Sequence, residues 1–360
     1  MNLIQLKKAF YKKKVIVTGH TGFKGSWLTL WLNKLGANVL GLSINVPTNP
    51  SFYKSTNLKN EVRNKKIDIR DLKKLSTQIN KFKPDFIFHL AAQSLVKKSL
   101  EDPIKTWETN TLGTINVLES IKNLKNNCTV ILITSDKCYR NLEISRGYKE
   151  NDILGGKDPY SASKASAELA IASYIQSFFI NKTKNLNIGI ARAGNVIGGG
   201  DWSKNRLIPD CMRSIKKYGK LELRSPNATR PWQHVLEAIS GYLYLAYNLK
   251  KNKSINYEAF NFGPEKSNNH SVLDLIKSMK KNWSIIKWIV LKEKKFDESK
   301  LLRLNISKAN KKLKWTPILT FNETSKMVVD WYREYYGNKN MYLFSLKQIS
   351  NYEKKMFKKI

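Results

Sequence analysis

The sequence is short of acidic residues, cysteine and long apolar runs. Asp and Glu number 28 against 64 Lys and Arg, only three cysteines occur, and no apolar run approaches the roughly 18 residues that a membrane span needs. The cysteines form no Cys-x-x-Cys pair and one is left over, which argues against a disulfide framework and favours a reducing compartment. The N-terminus lacks the apolar core of a signal peptide. We therefore expect a cytoplasmic protein without a membrane segment.

Histidines are also few. His20, His89 and His234 are far apart in the sequence, and no cysteine stands beside a pattern that would supply its base. We therefore predict neither a metal site nor a cysteine nucleophile.

The formal net charge of +36 raises the question of an anionic partner. A basic patch would bind nucleic acid or anionic lipid. The basic residues are instead scattered along the whole chain, without zinc-ligand spacing or a motif of stacking aromatic residues. We therefore favour a Lys-rich composition spread over solvated faces and predict no nucleic-acid partner, although a positive field should attract a pyrophosphate substrate.

Short apolar runs alternate with helical patterns through the first 194 residues. The strand-like runs lie at residues 14–19, 38–43, 65–69, 86–91, 130–135 and 187–193. The helical patterns between them lie at residues 25–35, 72–82, 103–124 and 159–179. This alternation predicts an α/β fold with a doubly wound parallel sheet of the Rossmann type, whose ligands lie beyond the carboxyl ends of the strands.

The pattern becomes irregular after Gly194. Helical patterns near residues 207–217 and 235–249 are separated by loops, and a late strand at 257–263 is predicted to return to the first sheet. We therefore divide the chain into a dinucleotide-binding domain at residues 1–194 and a smaller, interleaved substrate-binding region at residues 195–335. Residues 340–360 carry no clear signal and are predicted to form a loose tail.

A glycine-rich turn follows the first predicted strand. Gly19, Gly22 and Gly25 have the spacing that permits a tight turn, lets backbone amides approach a pyrophosphate and seats the next helix, whose N-terminus carries partial positive charge. This pattern predicts a dinucleotide site. Asp68, after the third strand, is placed to contact the adenine edge.

The acid that usually binds the adenosine ribose is missing. It is expected about 20 residues after the glycine turn, yet no Asp, Glu or Arg occurs between His20 and Asn60. Ser43 or Asn45 could bond the ribose instead. The residues alone therefore leave the choice between NAD and NADP open.

A possible catalytic group combines the end of the fifth strand with the start of a long helix. Asp158 suits the helix N-cap and Pro159 its first turn, and the spacing of four residues puts Tyr160 and Lys164 on one helix face. A lysine ammonium near a phenol lowers the phenol pKa, so tyrosine can act as a base. Ser135 can share the proton of a substrate hydroxyl.

Longer strings add a family resemblance. The glycine turn, residues 89–93, residues 110–114 and the Tyr160/Lys164 pair resemble the extended short-chain dehydrogenase/reductase superfamily. More narrowly, residues 19–27, 135–139, 191–202 and 230–235 resemble the CDP-glucose 4,6-dehydratases, and the match extends over roughly residues 12–335.

The resemblance implies the binding residues. The cofactor would be NAD, held by a set from the glycine turn, the strand ends and the catalytic helix: Gly19, Gly22, Phe23, Gly25, Asp68, Ile69, Ala91, Ala92, Gln93, Asn110, Tyr160 and Lys164. A nucleotide sugar would be held by Asn195, Arg206 and Arg230, since guanidinium groups bind phosphate oxygens bidentately. Arg192 could bind the same pyrophosphate, or it could have a structural role instead.

The same resemblance implies a dehydration without net redox change. Tyr160 removes the 4-hydroxyl proton of the glucose while a hydride passes from C4 to NAD, water is lost across C5 and C6, and the hydride returns to C6. Asp136 would donate a proton to the leaving hydroxyl, so it must stay protonated, which burial favours. Lys137 would take the C5 proton, so it must be neutral part of the time. Related dehydratases of other nucleotide sugars usually have Glu at this second position.

Asp136 and Lys137 can act on the same sugar only if the backbone lets both side chains point to one side. Neighbours in a regular strand point to opposite faces, so the two side chains can serve one sugar only if the strand has already ended. A solvated charged pair at a strand end is the alternative interpretation.

Other functions stay open at this point. A nucleotide-sugar epimerase or reductase on the same scaffold keeps Tyr160 and Lys164 but needs no elimination pair, and a non-catalytic dinucleotide-binding module needs no catalytic group. The base of the nucleotide rests on resemblance alone. In the resembled superfamily, helices such as those at 103–124 and 159–179 form a four-helix dimer interface, which predicts a homodimer. The destination implied by the family is a deoxysugar of a cell-surface polysaccharide such as an O-antigen.

Overall fold

The computed structural model describes residues 2–144, 146–216, 219–265, 270–291 and 302–358. Its strands are, in chain order, β1 (Lys14–Thr18), β2 (Asn38–Ser43), β3 (Arg63–Lys66), β4 (Phe86–His89), β5 (Cys128–Ile133), β6 (Leu186–Ala193), β7 (Val196–Ile197), β8 (Leu221–Leu223), β9 (Thr229–Arg230), β10 (Gln233–His234), β11 (Ala259–Phe262), β12 (His270–Ser271) and β13 (Trp288–Val290).

The helices cover this framework. They are α1 (Leu3–Phe10), α2 (Phe23–Lys34), α3 (Phe52–Ser55), α4 (Leu72–Phe82), α5 (Val96–Glu101), α6 (Pro103–Trp107), α7 (Gly113–Lys122), α8 (Pro159–Tyr174), α9 (Leu207–Lys216), α10 (Val235–Lys251), α11 (Val272–Asn282), α12 (Phe321–Tyr336) and α13 (Met341–Lys358). Within the described part of the chain, none of these helices combines the length and the apolar character that crossing a bilayer requires.

Seven strands form one parallel sheet in the order β11-β6-β5-β4-β1-β2-β3. The chain winds outward from β1 in one direction and from β4 in the other, so the order reverses between these two strands. This is the doubly wound α/β fold that the alternating pattern predicts, and its switch point lies between β1 and β4. The late strand β11 pairs with β6 at one edge of the sheet.

The sheet separates two apolar layers. In β1, Val15 and Val17 face the layer that contains α2, α10 and α12, whereas Ile16 faces the layer that contains α4, α7 and α8. All three side chains are fully buried. A strand covered on both faces has no polar side, which explains why its sequence is a continuous apolar run.

Element boundaries differ from the sequence prediction in four elements that matter for the site. The edge strand β3 ends at Lys66, because the buried Ile67 and Ile69 that suggest a strand lie in the following loop. Strands β4 and β5 end two residues earlier than predicted, so Ala91 and Ser135 lie in loops at the carboxyl edge. The helix predicted at 103–124 is interrupted by a π-helical turn at Glu108–Leu112.

The prediction of a loose tail is wrong for residues 341–358, which form the helix α13. Residues 359–360 of the predicted tail lie outside the described residues, and so does Lys217 of the helix predicted at 207–217. Ile349, Tyr352 and Glu353 are buried. Glu353 accepts hydrogen bonds from Trp31 Nε1 at 2.8 Å and Lys34 Nζ at 2.5 Å, both on α2. Because polar groups make much of this buried face, the apolar pattern in the sequence is weak.

Candidate active site

The glycine turn lies where β1 ends and α2 begins. Gly19 has a φ of +72°, and a Cβ atom there would lie 2.8 Å from the backbone N and Cα of Ala91, so only glycine fits. The Gly22 N–H donates to the Gly19 carbonyl at 3.0 Å. Gly22 caps α2 without a side-chain bond, and Gly25 lies in its first turn. The first amides of α2 are therefore available to a phosphate, and the turn fits the pyrophosphate of a dinucleotide.

The two residues considered for the adenosine ribose differ in their contacts. The Ser43 hydroxyl already bonds His20 Nδ1 at 2.9 Å and the Thr21 amide at 3.4 Å. Asn45 is exposed, and its backbone carbonyl accepts from the Thr21 hydroxyl at 2.6 Å. Since the Asn45 side chain has no hydrogen bond within the described residues, it is the better candidate for the ribose.

Asp68 and Ile69 lie just after β3. The Asp68 carboxylate pairs with Arg70 at 2.7 Å, and this bond holds the pKa of Asp68 below its usual value. Arg70 also bonds Glu108 at 2.8 Å. Ile69 is buried against Gly113. Asp68 is thus a fixed, ionised group in the loop just after β3.

Asn110 fixes the loop that follows β4. Its Oδ1 accepts from the Gln93 amide at 2.8 Å, and its Nδ2 donates to the Gln93 carbonyl at 3.0 Å and the Ser163 hydroxyl at 2.9 Å. These bonds tie Ala91, Ala92 and Gln93 to α8. Asn110 therefore positions the loop after β4 through hydrogen bonds within the protein.

Asp136 and Lys137 lie on a turn rather than in a strand. Strand β5 ends at Ile133, and Ser135 caps a 3₁₀ helix at Asp136–Cys138. Successive side chains on such a turn are about 120° apart instead of opposite. The condition for a shared sugar is therefore met, and the alternative of a solvated pair fails for Asp136, which is 4% exposed, while Lys137 is half-buried.

The Asp136 carboxylate contacts three other parts of the site. It accepts from the Ser135 hydroxyl at 2.8 Å and from Asn195 Nδ2 at 3.4 Å. A Cβ atom at Gly194 would lie 1.9 Å from Asp136 Cγ, so a glycine is needed there to admit the carboxylate. The sequence prediction missed Gly194, whose role arises only when β5 and β6 lie side by side.

Tyr160 and Lys164 lie on the buried face of α8, which begins at the predicted cap, Asp158. Burial raises the pKa of Tyr160 to about 12, against a hydrogen bond with Ser135 that lowers it. The sequence predicts that Lys164 lowers the pKa of the Tyr160 phenol so that it acts as a base near neutrality. In the chain alone this is not met, because burial has the larger effect on that pKa. Burial also lowers the pKa of Lys164 to about 8, against the charge of Glu168.

Cations gather beside these residues. Arg206 pairs with Asp201 at 3.2 Å and donates to the Ser94 carbonyl at 3.4 Å. Lys24, half-buried on the first turn of α2, was missed by the sequence prediction although it lies inside the glycine turn. Burial, followed by the charges of Lys164 and Arg206, lowers the pKa of Lys24 to about 8. This concentration of positive charge suits an anionic ligand.

The two remaining arginines lie in different surroundings. Arg192 is buried and makes a bidentate ion pair with Glu168, which gives it the structural role. Arg230 lies in β9 and donates to the Thr229 carbonyl at 2.8 Å. The sequence prediction also missed Glu168, although its spacing of four residues from Lys164 is a usable signal.

Comparison with known proteins adds three results. A family model described as GDP-mannose 4,6 dehydratase matches residues 16–328. The chain is 43% identical over 352 residues to CDP-glucose 4,6-dehydratase of Salmonella typhimurium, which covers 96% of this chain and 98% of that protein. Two solved structures share the fold over 90% of this chain: UDP-glucose 4-epimerase of Thermotoga maritima with UDP-glucose (TM-score 0.77, 21% identity, 99% of that chain) and UDP-glucuronic acid 4-epimerase of Bacillus cereus with UDP-glucuronic acid and NAD (0.75, 24%, 100%).

The doubly wound sheet, the glycine turn and the Tyr160/Lys164 pair at the carboxyl edge define an extended short-chain dehydrogenase/reductase. Within that class the family model spans most of the sequence. The chain belongs to the GDP-mannose 4,6 dehydratase family.

Proposed function

We propose that the protein is an NAD-dependent hydro-lyase, a CDP-glucose 4,6-dehydratase that forms CDP-4-dehydro-6-deoxy-glucose. The observation that carries this proposal is the juxtaposition of Asp136 and Lys137 with Ser135 and Tyr160 at one strand end. An epimerase needs the last two but has no use for an elimination pair. The choice of CDP-glucose is supported by the relative that is 43% identical over nearly the whole chain.

NAD fits the cradle at the glycine turn. Gly19, Gly22, Phe23 and Gly25 would hold its pyrophosphate at the start of α2, and Tyr160 and Lys164 would lie at its nicotinamide end. The remaining contacts would come from the strand ends and the loops after them: Asp68, Ile69, Ala91, Ala92, Gln93 and Asn110. When bound, NAD would supply a positively charged ring that can accept a hydride and give it back.

The chain's own residues move the protons. Tyr160 takes the proton of the 4-hydroxyl, and the resulting 4-ketone acidifies C5–H. Lys137 takes the C5 proton, and Asp136 protonates the C6 hydroxyl so that it leaves as water. Lys137 then returns its proton to C5. Because the Ser135 hydroxyl bonds both Tyr160 and Asp136, the proton gained by Tyr160 can return to Asp136 and restore the starting state.

The nucleotide sugar is proposed to bind in the region at residues 195–335, over the carboxyl edge of the sheet. Asn195 bonds Asp136 and so lies beside the reacting sugar. Arg206 acts electrostatically on Tyr160 and Lys24, and we assign it to the substrate pyrophosphate. Arg230 is assigned to the same pyrophosphate.

We further propose a cytoplasmic homodimer. Large apolar side chains are exposed at residues 103–124 and 159–179, the two segments predicted to form a dimer interface; they are Ile104, Trp107, Leu112, Leu169 and Phe178. Ile104 is 73% and Leu169 60% exposed, which is unfavourable in water unless a second copy covers them.

Incubation of the purified protein with NAD and CDP-glucose tests the function. We expect a product lighter than the substrate by one water, with no net formation of reduced cofactor. An isomer of unchanged mass would identify an epimerase instead. Dehydration of another nucleotide-glucose, with CDP-glucose untouched, would support the proposed reaction but refute the proposed preference for the cytosine nucleotide.

A further inference from the structure

A buried ion pair lies directly beneath the catalytic residues. Glu168 accepts two hydrogen bonds from Arg192, from Nε and Nη2, each at 2.8 Å, and a third from the Thr134 hydroxyl at 2.5 Å. The Arg192 and Glu168 side chains are only 5% and 4% exposed. Protein groups rather than water make the hydrogen bonds of this pair, so its partners are held in one arrangement.

This pair connects the segments that carry the chemistry. Thr134 precedes Ser135 on the chain, and Arg192 lies two residues before Gly194 on β6. The other end of Arg192, Nη1, donates to the Tyr139 hydroxyl at 2.7 Å, just after the turn that carries Asp136 and Lys137. The hydroxyl of Tyr139 in turn donates to a residue of β11. Strand ends, turn and helix α8 therefore meet at Glu168.

Glu168 also acts on Lys164, which lies one helical turn before it on α8. Groups from four elements act electrostatically with Lys164: Lys24 on α2, His89 on β4, Cys138 on the 3₁₀ turn and Glu168 on its own helix. Of these, Glu168 carries the negative charge that favours the protonated lysine.

We propose that Glu168 is a positioning residue of the active site, which aligns the Ser135 and Tyr160 segments through Arg192 and Thr134 and keeps Lys164 protonated at neutral pH. The alignment of the Ser135 and Tyr160 segments rests on the proposed function. The effect of Glu168 on the protonation of Lys164 concerns the chain itself. A protonated Lys164 is what the Tyr160 phenolate requires beside it, so the two parts serve the same step.

The obvious competing account is that the pair only stabilises the fold. A structural pair would lower activity equally at all pH values when broken. A pair that also controls the charge of Lys164 changes the pH at which activity is lost. Since the pKa of Lys164 is lowered to about 8, the wild-type rate should fall as pH rises through about 8. The alkaline limb of the rate profile therefore separates the two accounts.

The experiment compares Glu168→Gln, Glu168→Asp and the double variant Glu168→Gln/Arg192→Met with the wild type. The double variant removes both charges, which avoids an uncompensated buried arginine if the single variant does not fold. Rates of CDP-glucose dehydration are measured against pH with saturating NAD. In parallel, competitive acetylation of the free chain, read by peptide mass spectrometry, gives the pKa of Lys164 without turnover.

Both neutral variants are expected to move the alkaline limb and the Lys164 titration down by about one pH unit, whereas Glu168→Asp keeps them near the wild-type position. A uniform loss of rate with an unmoved limb and an unmoved titration would overturn the proposal. A wild type that does not dehydrate CDP-glucose would refute the proposed function, while the acetylation titration would still decide whether Glu168 controls Lys164.

Discussion

At the scale of single residues, the site depends on the different surroundings of two neighbours. Asp136 is enclosed by Ser135, Asn195 and the space left at Gly194, whereas Lys137 is half-buried on the same turn. We assign the proton donor to the enclosed carboxyl and the C5 base to the half-buried lysine. Both side chains reach these places because β5 ends at Ile133 and the turn at Asp136–Cys138 follows.

Replacing Asp136 by Asn should separate oxidation from elimination. Tyr160 and Lys164 remain, so the sugar is still oxidised at C4, but the C6 hydroxyl loses its proton donor. We expect dehydration to fall by about 10²–10⁴-fold while reduced cofactor accumulates on the protein. Cofactor absorbance in a single turnover measures this.

Tyr160→Phe is the matched control, because it removes the base for oxidation itself. It should show neither reduced cofactor nor dehydration. If Asp136→Asn also failed to reduce the cofactor, the assignment of Asp136 to the elimination step would be wrong.

The sequence predicts residues whose role depends on local spacing and misses those whose role depends on distant contacts. Tyr160 and Lys164 are four residues apart on one helix, and Ser135 closes an apolar strand, so all three are predictable. Gly194 matters because a carboxylate from another strand lies over it. Lys24 matters because the charges of Lys164 and Arg206 act on it. Neither relation leaves a pattern in the sequence near the residue concerned.

At the scale of elements, α13 shows what a hydrophobic pattern cannot predict. Its Tyr352 donates to Glu237 on α10 at 2.6 Å, and Glu237 also accepts from the Ile318 and Leu319 amides at 2.9 and 2.7 Å. The central strands β1, β4 and β5 were predictable because they are buried on both faces. This helix is held by buried polar contacts that single-sequence periodicity does not record.

The docking of α13 should make stability depend on pH. Burial raises the pKa of Glu237 from 4.5 to about 7. A carboxyl whose pKa is higher in the folded state contributes stability that is full below its unfolded pKa and is lost as pH rises through the folded pKa. Wild-type protein should therefore lose up to about 3 kcal/mol of unfolding free energy from this group between pH 4.5 and 8.

Glu237→Gln is uncharged and should lack this loss. The difference in melting temperature between wild type and variant, measured by calorimetry across that pH range, cancels the contributions of other groups. A difference that stays constant with pH would show that the pKa of Glu237 is the same in the folded and unfolded states.

At the scale of the whole molecule, the charge and the apolar helix faces have different meanings. The net charge of +36 is spread along the chain, and its effect near the site is a concentration of Lys24, Lys164 and Arg206 suited to pyrophosphate. Exposed large apolar residues occur on many elements of the described chain, and those at residues 103–124 and 159–179 carry the proposal of a dimer.

Ile104→Lys combined with Leu169→Glu should convert the dimer to a monomer, because each copy would place charges in an apolar interface. Light scattering at micromolar concentration measures the mass. Leu343→Glu is the control, since Leu343 is 61% exposed on α13, outside these helices, and its replacement should leave the mass unchanged. A monomeric wild type would contradict the proposal.

The central claim is that one protein oxidises, dehydrates and reduces the same sugar. The most direct measurement is incubation of the protein and NAD with CDP-glucose in deuterated water, followed by mass spectrometry of the product. The account predicts a product that has lost one water, carries one solvent deuterium at C5 and retains the substrate's own C4 hydrogen at C6. Solvent deuterium at C6, or an unchanged mass with inversion at C4, would contradict it.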